Sequence, residues 1–149
     1  MDFSAVVSYE QEFPVKLIHP VTGEDIGVTF NVVSFDSERV VKAAKTVESE
    51  RWKAILESSD KKLTPEQFTE YQDKVEREQV IAAIQSWDWG GNEFDALPSD
   101  AECTEENKRY VIEHKNAKWI REQIIARAAS IENFTQASGK KPARSSKSK

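Results

Sequence analysis

Residues 13–37 read FPVKLIHPVTGEDIGVTFNVVSFDS, and the hydrophobic period of the chain changes within this stretch. Its second half alternates between apolar residues and small or polar ones, the apolar positions being Ile26, Val28, Phe30 and Val32. Such alternation is typical of a strand with one buried face. The first half alternates over a shorter run, and Gly23 lies in the turn between them. The stretch therefore predicts a β-hairpin over residues 13–33.

After Ser34 the apolar residues recur every three or four positions, which predicts helices. Three helical segments follow, over about residues 36–57, 65–87 and 105–136. Asp36 or Ser37 can cap the first, and Thr64-Pro65-Glu66-Gln67 is a capping box that opens the second. Lys115-Asn116 is a weak point in the third. Because an isolated hairpin is marginally stable, we expect an α+β fold in which the hairpin packs on a mainly α-helical body of three to four helices.

Charge divides the chain into an acidic body and a basic end. The 149 residues predict an N-terminal arm at 1–12, one globular domain at 13–138 and a tail at 139–149. The whole chain has 21 basic and 26 acidic residues, and five of the basic ones lie in the tail: Lys140, Lys141, Arg144, Lys147 and Lys149. Residues 1–138 therefore carry 16 basic against 26 acidic groups, a net charge of −10. The tail has no apolar residue larger than alanine, so we expect it to be disordered.

The tail admits two interpretations. It could attach the protein to nucleic acid or to an acidic partner, or it could be a solubilising end. The acidic body argues against nucleic acid, because it repels phosphate. The sequence has no apolar run long enough to cross a membrane, no signal peptide at Met1-Asp2-Phe3-Ser4 and only one cysteine, Cys103. These features predict a protein of the reducing cytoplasm without a disulfide.

No residue pattern indicates catalysis. His19 and His114 are far apart in the sequence, and Gly90-Gly91 lacks the residues of a phosphate-binding loop. Cys103 lies among acidic residues, whose field raises a thiol pKa and suppresses the nucleophilic thiolate. The acidic loop at 92–103 lacks the alternating oxygen ligands of a calcium loop. We therefore expect no catalytic residue, no metal site and no cofactor.

The aromatic residues are the remaining candidates for a functional surface. The chain has four tryptophans, of which Trp52 lies on the first predicted helix. They could be core residues, or some could anchor a partner protein, as aromatic side chains often do. The candidates for protein binding are Trp87, Trp89, Phe94 and Trp119. In the second interpretation Trp89, which lies next to two glycines and Phe94, is partly exposed and anchors the partner.

Several motifs occur in a characteristic order. FPVKLIHPVTGEDIGV at 13–28 is followed by SFDS at 34–37, and IQSWD at 84–88 is the expected end of the second helix. TEEN at 104–107 and WIREQI at 119–124 come next, and the series closes on Asn133-Phe134. In this order the chain resembles the tail assembly chaperones of long-tailed bacteriophages and prophages, over about residues 13–138. It departs from that pattern in the acidic stretch 99–103.

The resemblance implies a protein that is not an enzyme and acts in the cytoplasm of the bacterial host. It implies binding to the tape-measure protein and promotion of tail-tube polymerisation, without retention in the virion. Some family members also have a longer form, made by ribosomal slippage, that contacts the tail-tube protein. Lys140-Lys141 could be encoded by a slippery run. Two alternatives stay open: a small nucleic-acid-associated regulator that uses the basic tail, and a structural tail subunit of the virion. The oligomeric state also stays open.

Overall fold

The computed structural model describes residues 2–135, so the predictions for the tail at 139–149 lie outside the described residues. Three strands form an antiparallel sheet in the order β1 (Phe13–Ile18), β2 (Asp25–Val32), β3 (Ile84–Asp88). The α-helices of this part of the chain are α1 (Glu38–Glu57), α2 (Pro65–Ala83), α3 (Glu105–Ile112) and α4 (Lys118–Ala128). Short 3-10 helices cover Phe3–Ala5 and Ile131–Phe134. The predicted α+β class is confirmed.

The hairpin forms as its alternation predicts. Phe13 pairs with Val32 and Val15 with Phe30, so the apolar residues of both strands lie on one face. That face is buried, since Val15, Val28 and Phe30 are almost inaccessible to solvent. Residues of the other face, such as Lys16 and Thr29, are exposed or half-buried. The sheet thus has one apolar side, and this side requires a cover.

The helices supply this cover. The core beneath the sheet is completed by Val80 and Ile81 at the end of α2, by Val111 and Ile112 of α3, and by Ile120, Ile124 and Ala128 of α4. The side chain of Gln123 protects the outer edge of β1. Its amide accepts from the Ile18 N–H at 3.0 Å and donates to the Ile18 carbonyl at 2.8 Å, as a neighbouring strand would.

The predicted second helix is too long at its C-terminal end. It stops at Ala83, and residues 84–88 form the third strand instead, with Phe30 opposite Trp87. Gln85 explains how the helix can end without a glycine. Its side-chain amide donates to the carbonyls of Ala82 and Ala83 in the last turn, and the Ala83 carbonyl also accepts from the Val33 N–H at 2.9 Å. The next carbonyl, that of Ile84, accepts from the Lys108 ammonium at 3.1 Å.

The predicted helical segment at 105–136 divides into two helices, which agrees with the expected three to four helices. It consists of α3 and α4, separated by a turn at 113–117. Between the end of α4 and residue 135, the last one described, the chain forms the 3-10 helix Ile131–Phe134. The break contains the weak point at Lys115-Asn116. There the His114 Nδ1 atom accepts from the Asn116 N–H at 3.0 Å, so a side chain replaces helical hydrogen bonding.

The segment before β1 packs on the body and caps α1. The Glu10 carboxylate accepts from the Glu38 N–H at 2.8 Å, at the positive end of the helix. Ser37 occupies the N-cap position but its side chain makes no capping hydrogen bond. Farther along, the Ser8 N–H donates to the Phe134 carbonyl and Val7 bridges Thr135. A carboxylate distant in sequence therefore takes the capping role expected of Asp36 or Ser37.

Helices α1 and α2 form an antiparallel helical hairpin. The two helices pack on each other, and α1 makes its main contacts with α2 rather than with the sheet. An ion pair between Lys74 and Glu50, at 2.8 Å, joins their outer halves. Both side chains of the Thr64 and Gln67 capping box are in place at the start of α2, as predicted. Within residues 2–135 no helix is both long and apolar enough to cross a membrane.

Candidate protein-binding site

The structure brings together three of the four aromatic residues that the sequence singles out. Trp87 and Trp89 contact each other edge to face at 5.5 Å, and Phe94 lies 5.8 Å from Trp89. Phe30 joins them from β2, and His114 extends the group beyond Phe94. We refer to Phe30, Trp87, Trp89, Phe94 and His114 as the aromatic cluster. It holds the loop after β3 against the sheet.

The aromatic cluster is mostly interior. Trp89 is only 4% exposed, so it is a core residue and the alternative of a partly exposed anchor is wrong. The two glycines after it allow the chain to turn tightly back, and this turn presses the indole inward. Trp87 is half-buried and its Nε1–H donates to the Ala101 carbonyl at 2.9 Å, which ties the acidic loop to β3. These contacts give the aromatic cluster a structural role.

Trp119, the fourth candidate, lies on α4, away from the loop that follows β3. It is half-buried and packs against the main core. Because the other three candidates belong to the aromatic cluster, little side-chain surface of the four predicted residues is accessible to a partner protein.

Asp95 of the acidic loop is paired with His114, which lies in the turn after α3. His114 Nε2 lies 2.9 Å from an Asp95 carboxylate oxygen, and this hydrogen bond holds the pKa of Asp95 below its usual range. Because His114 Nδ1 accepts from a backbone N–H, the ring donates through Nε2 to Asp95. Burial raises the pKa of the Cys103 thiol. Among residues 2–135 no three His, Cys, Asp or Glu side chains are placed to hold a metal ion.

Large exposed apolar side chains are scattered over the described residues, and the helical hairpin carries several of them. Leu56 is 64% exposed and Trp52 56% exposed on α1, and Phe68 is 45% exposed near the start of α2. Trp52 and Leu56 are four positions apart, so they share a stripe on the outer face of α1. The sequence gives one signal of their exposure. Around the axis of α1 their stripe is rotated away from Val40 and Val47, which are buried. That offset alone does not distinguish an exposed stripe from a wide core face.

A groove runs beside the hairpin where α2 diverges from α4. Its volume is about 460 Å³, and its apolar wall is formed by Phe35, Phe68, Tyr71, Val75 and Ile125. The polar residues that line it are Glu48, Arg51, Gln72, Glu76 and Gln79. We refer to these ten residues as the hairpin groove. Sequence reasoning missed it, because it is formed by three elements that are distant along the chain.

The charges of the hairpin groove are already paired. Arg51 binds the Glu48 carboxylate through two hydrogen bonds, of 3.1 and 2.9 Å. Glu76 lies 3.7 Å from Arg121 of α4, which also donates to the Ile112 carbonyl. The Arg51 guanidinium lies 5.6 Å from the centre of the Trp52 ring, so the groove is continuous with the exposed stripe of α1. Each charged side chain of the groove thus has a neighbour of opposite charge, although the buried Arg121 Nε makes no hydrogen bond, and the apolar wall is left open.

Comparisons of the chain with models of protein families, with curated proteins and with solved structures gave no match.

Proposed function

We propose that this protein is a tail assembly chaperone of a long-tailed bacteriophage or prophage, acting in the cytoplasm of the bacterial host. In this role it binds the tape-measure protein and promotes tail-tube polymerisation without entering the virion. The role is a binding one and requires no catalytic residue, metal or cofactor. The resemblance of residues 13–138 to such chaperones motivates the proposal.

The observation that carries it is the uncovered apolar surface of the helical hairpin. A chaperone for a long helical protein must expose apolar groups while it stays folded itself. Here the sheet face and the aromatic cluster are closed, whereas Trp52, Leu56 and Phe68 project into solvent from α1 and α2. Contiguous exposed apolar residues are typical of protein-binding surfaces. The two functions, folding and binding, thus use different apolar residues.

The charge of the described residues supports a protein partner rather than nucleic acid. All 26 acidic residues lie between Asp2 and Glu132, against 16 basic ones. A surface with ten excess negative charges repels the phosphate backbone and keeps a binding protein soluble. The alternative of a nucleic-acid-associated regulator would therefore depend on the five basic groups of residues 139–149 alone.

The direct test is deletion of the gene from its phage or prophage, followed by complementation. We expect the deletion to abolish tails and to leave the tape-measure protein insoluble, and we expect the wild-type gene to restore both. Mass spectrometry of purified particles should not detect the protein. Normal tails in the deletion strain would contradict the proposal. Stoichiometric recovery from virions would instead support the tail subunit, and salt-sensitive DNA binding lost on removal of residues 139–149 would support the regulator.

A further inference from the structure

We infer that the hairpin groove is the docking site for a single amphipathic helix whose inserted face is apolar and whose flanks are basic. This inference rests on the proposed function, because it names the part of the molecule that would hold a helical partner. Its own support comes from the length, lining and charge of the groove.

The length of the groove suits three turns of a helix. The residues that α2 contributes run from Phe68 through Tyr71 and Val75 to Gln79. They are spaced by three or four positions and therefore form one continuous side of α2. With a rise of about 1.5 Å per residue, this side is about 16 Å long. A partner helix lying along it would insert side chains from positions i, i+3 or i+4, and i+7.

The lining selects an apolar inserted face. Phe68, Tyr71 and Val75 form the wall on α2, and Phe35 and Ile125 close the base. The groove offers no unpaired ion, since Arg51 is held by Glu48 and Glu76 faces Arg121. A charged side chain inserted here would lose its hydration without gaining a counterion. Leucine, isoleucine or phenylalanine would gain apolar contact at no such cost.

The charge around the groove favours a partner helix with basic flanks. Helix α2 carries five carboxylates between Glu66 and Glu78 against two cations, Lys74 and Arg77. Glu70 and Asp73 lie with Lys74 and Arg77 in a second surface depression that shares Tyr71 with the groove, so the charges of that depression balance. The negative excess is instead that of α2 and of residues 1–138, which carry 26 acidic against 16 basic groups. A docked helix with lysine or arginine beside its apolar face would meet this charge. Such complementarity speeds association and rejects acidic partners.

Two other occupants fit less well. The C-terminal segment of the same chain, residues 139–149, has the required positive charge but no apolar residue larger than alanine to fill the wall. A second copy of the chain would bring a net charge of −5 to an already acidic surface. A separate basic amphipathic helix satisfies both the lining and the charge.

The test uses the full-length protein and synthetic helical peptides as probes. One peptide has leucines along one face and lysines elsewhere, a second has glutamates in place of the lysines, and a third has serines in place of the leucines. We expect the lysine peptide to bind most tightly by fluorescence anisotropy. Phe68→Ser and Gln72→Lys should each weaken it by about tenfold or more, because one removes apolar contact and the other adds a repelling cation.

Val21→Ser is the matched control. Val21 is 86% exposed, but it lies in the turn between β1 and β2, outside the hairpin groove, so its replacement should leave peptide affinity unchanged. Circular dichroism would verify that each variant is folded, which the exposed positions of Phe68 and Gln72 favour. Equal loss in Val21→Ser and Phe68→Ser, or equal affinity for both charged peptides, would overturn the inference. Self-association that Phe68→Ser abolishes would show that a second copy occupies the groove, which also overturns it.

The same variants separate this inference from the proposed function. If wild-type protein complements the deletion strain and both groove variants complement equally well, the chaperone role stands and the groove inference fails. If the deletion strain has normal tails but the lysine peptide still binds at Phe68 and Gln72, the groove inference stands and the proposed function fails. Loss of both peptide binding and tail assembly in the groove variants supports both.

Discussion

Gly90 is the residue that allows the turn after β3 to close on the first hairpin. Its φ of +59° lies in the left-handed region, and a Cβ added there would lie 2.1 Å from the Gly27 carbonyl oxygen. Gly91 has a similar φ of +83°, but an added Cβ would meet nothing within 4 Å. The two adjacent glycines therefore share the conformational requirement and differ in the space around them.

This difference makes a matched pair of substitutions. Gly91→Ala should lower the free energy of unfolding by about 1–2 kcal/mol, the cost of the left-handed conformation for alanine. Gly90→Ala should lower it by about 2–5 kcal/mol, because forcing a methyl group against the Gly27 backbone adds an overpacking cost. Urea denaturation of both variants would measure this. Equal losses would show that the backbone around Gly27 yields freely.

Trp89 shows what the sequence cannot reveal at the scale of a single residue. Glycines beside an aromatic residue suggest an exposed turn, and Trp89 is nevertheless buried because those glycines fold the chain back over it. Its burial depends on Phe30 and Phe94, which lie on different segments. The sequence predicts a helix at Trp52 and the structure confirms it, but the exposure of Trp52 depends on which elements pack beside α1.

At the scale of elements, regular local patterns could be predicted and a switch between patterns could not. The alternation of β2 and the capping box of α2 are local features, and both are present in the structure. Only residues 86–89 of the third strand region alternate, because Ile84 is out of phase with Trp87 and Trp89. The region also follows α2 without a turn, and Val80 and Ile84 fit helical spacing. Residues 84–88 form a strand because they pair with β2, and such pairing is a tertiary interaction that local sequence does not show.

Arg109 joins two elements, α2 and α3, at the centre of a group of charges. Its guanidinium contacts Glu78 of α2 and also Glu105 and Glu113, one turn to either side on α3. The hydrogen bond from Arg109 holds the pKa of Glu78 below its usual range. The same contact raises the pKa of Arg109, which stays charged. The Glu78 contact is the part of this group that depends on tertiary structure.

The Glu78 contact predicts a pH-dependent effect of Arg109→Gln. Because folding lowers the pKa of Glu78, the stabilisation is present above the unfolded pKa of about 4.3 and is lost as pH falls through the folded value. We therefore expect Arg109→Gln to lower the unfolding free energy by about 1 kcal/mol at pH 7 and by much less at pH 3. Thermal unfolding at a series of pH values would measure the difference between variant and wild type.

Arg51→Gln is the control for this series. Arg51 pairs with Glu48 within α1, three positions away, so its contact does not join two elements. Ion pairs within one helix contribute about 0.3–0.5 kcal/mol, so the effect should be small at every pH. The unfolding free energies of Arg109→Gln and wild type could differ by the same amount at pH 7 and pH 3. That result would mean that Arg109 acts through packing rather than through the Glu78 carboxylate.

At the scale of the whole molecule, buried residues are distributed unevenly. Every strand and both α3 and α4 contribute side chains to the core, whereas the chain from Glu48 to Gln79 contains no buried hydrophobic residue at all. The outer half of the helical hairpin is therefore held by local capping, by half-buried contacts between α1 and α2 and by the Lys74–Glu50 ion pair. Regions with few buried apolar contacts open locally before the molecule unfolds.

This distribution predicts two levels of protection in native-state hydrogen exchange. Amides between residues 50 and 72 should exchange at least about 100-fold faster than those of β2, because opening the outer hairpin exposes little core. Helix α4 is the control, since it is a shorter helix but buries Ile120, Ile124 and Ala128. It should exchange as slowly as β2. If the outer hairpin and α4 are equally protected, the hairpin is not a separate unit of stability.

If they differ, the lysine peptide should slow exchange selectively between residues 50 and 79, because a helix in the groove would supply the apolar contacts that this half of the hairpin lacks.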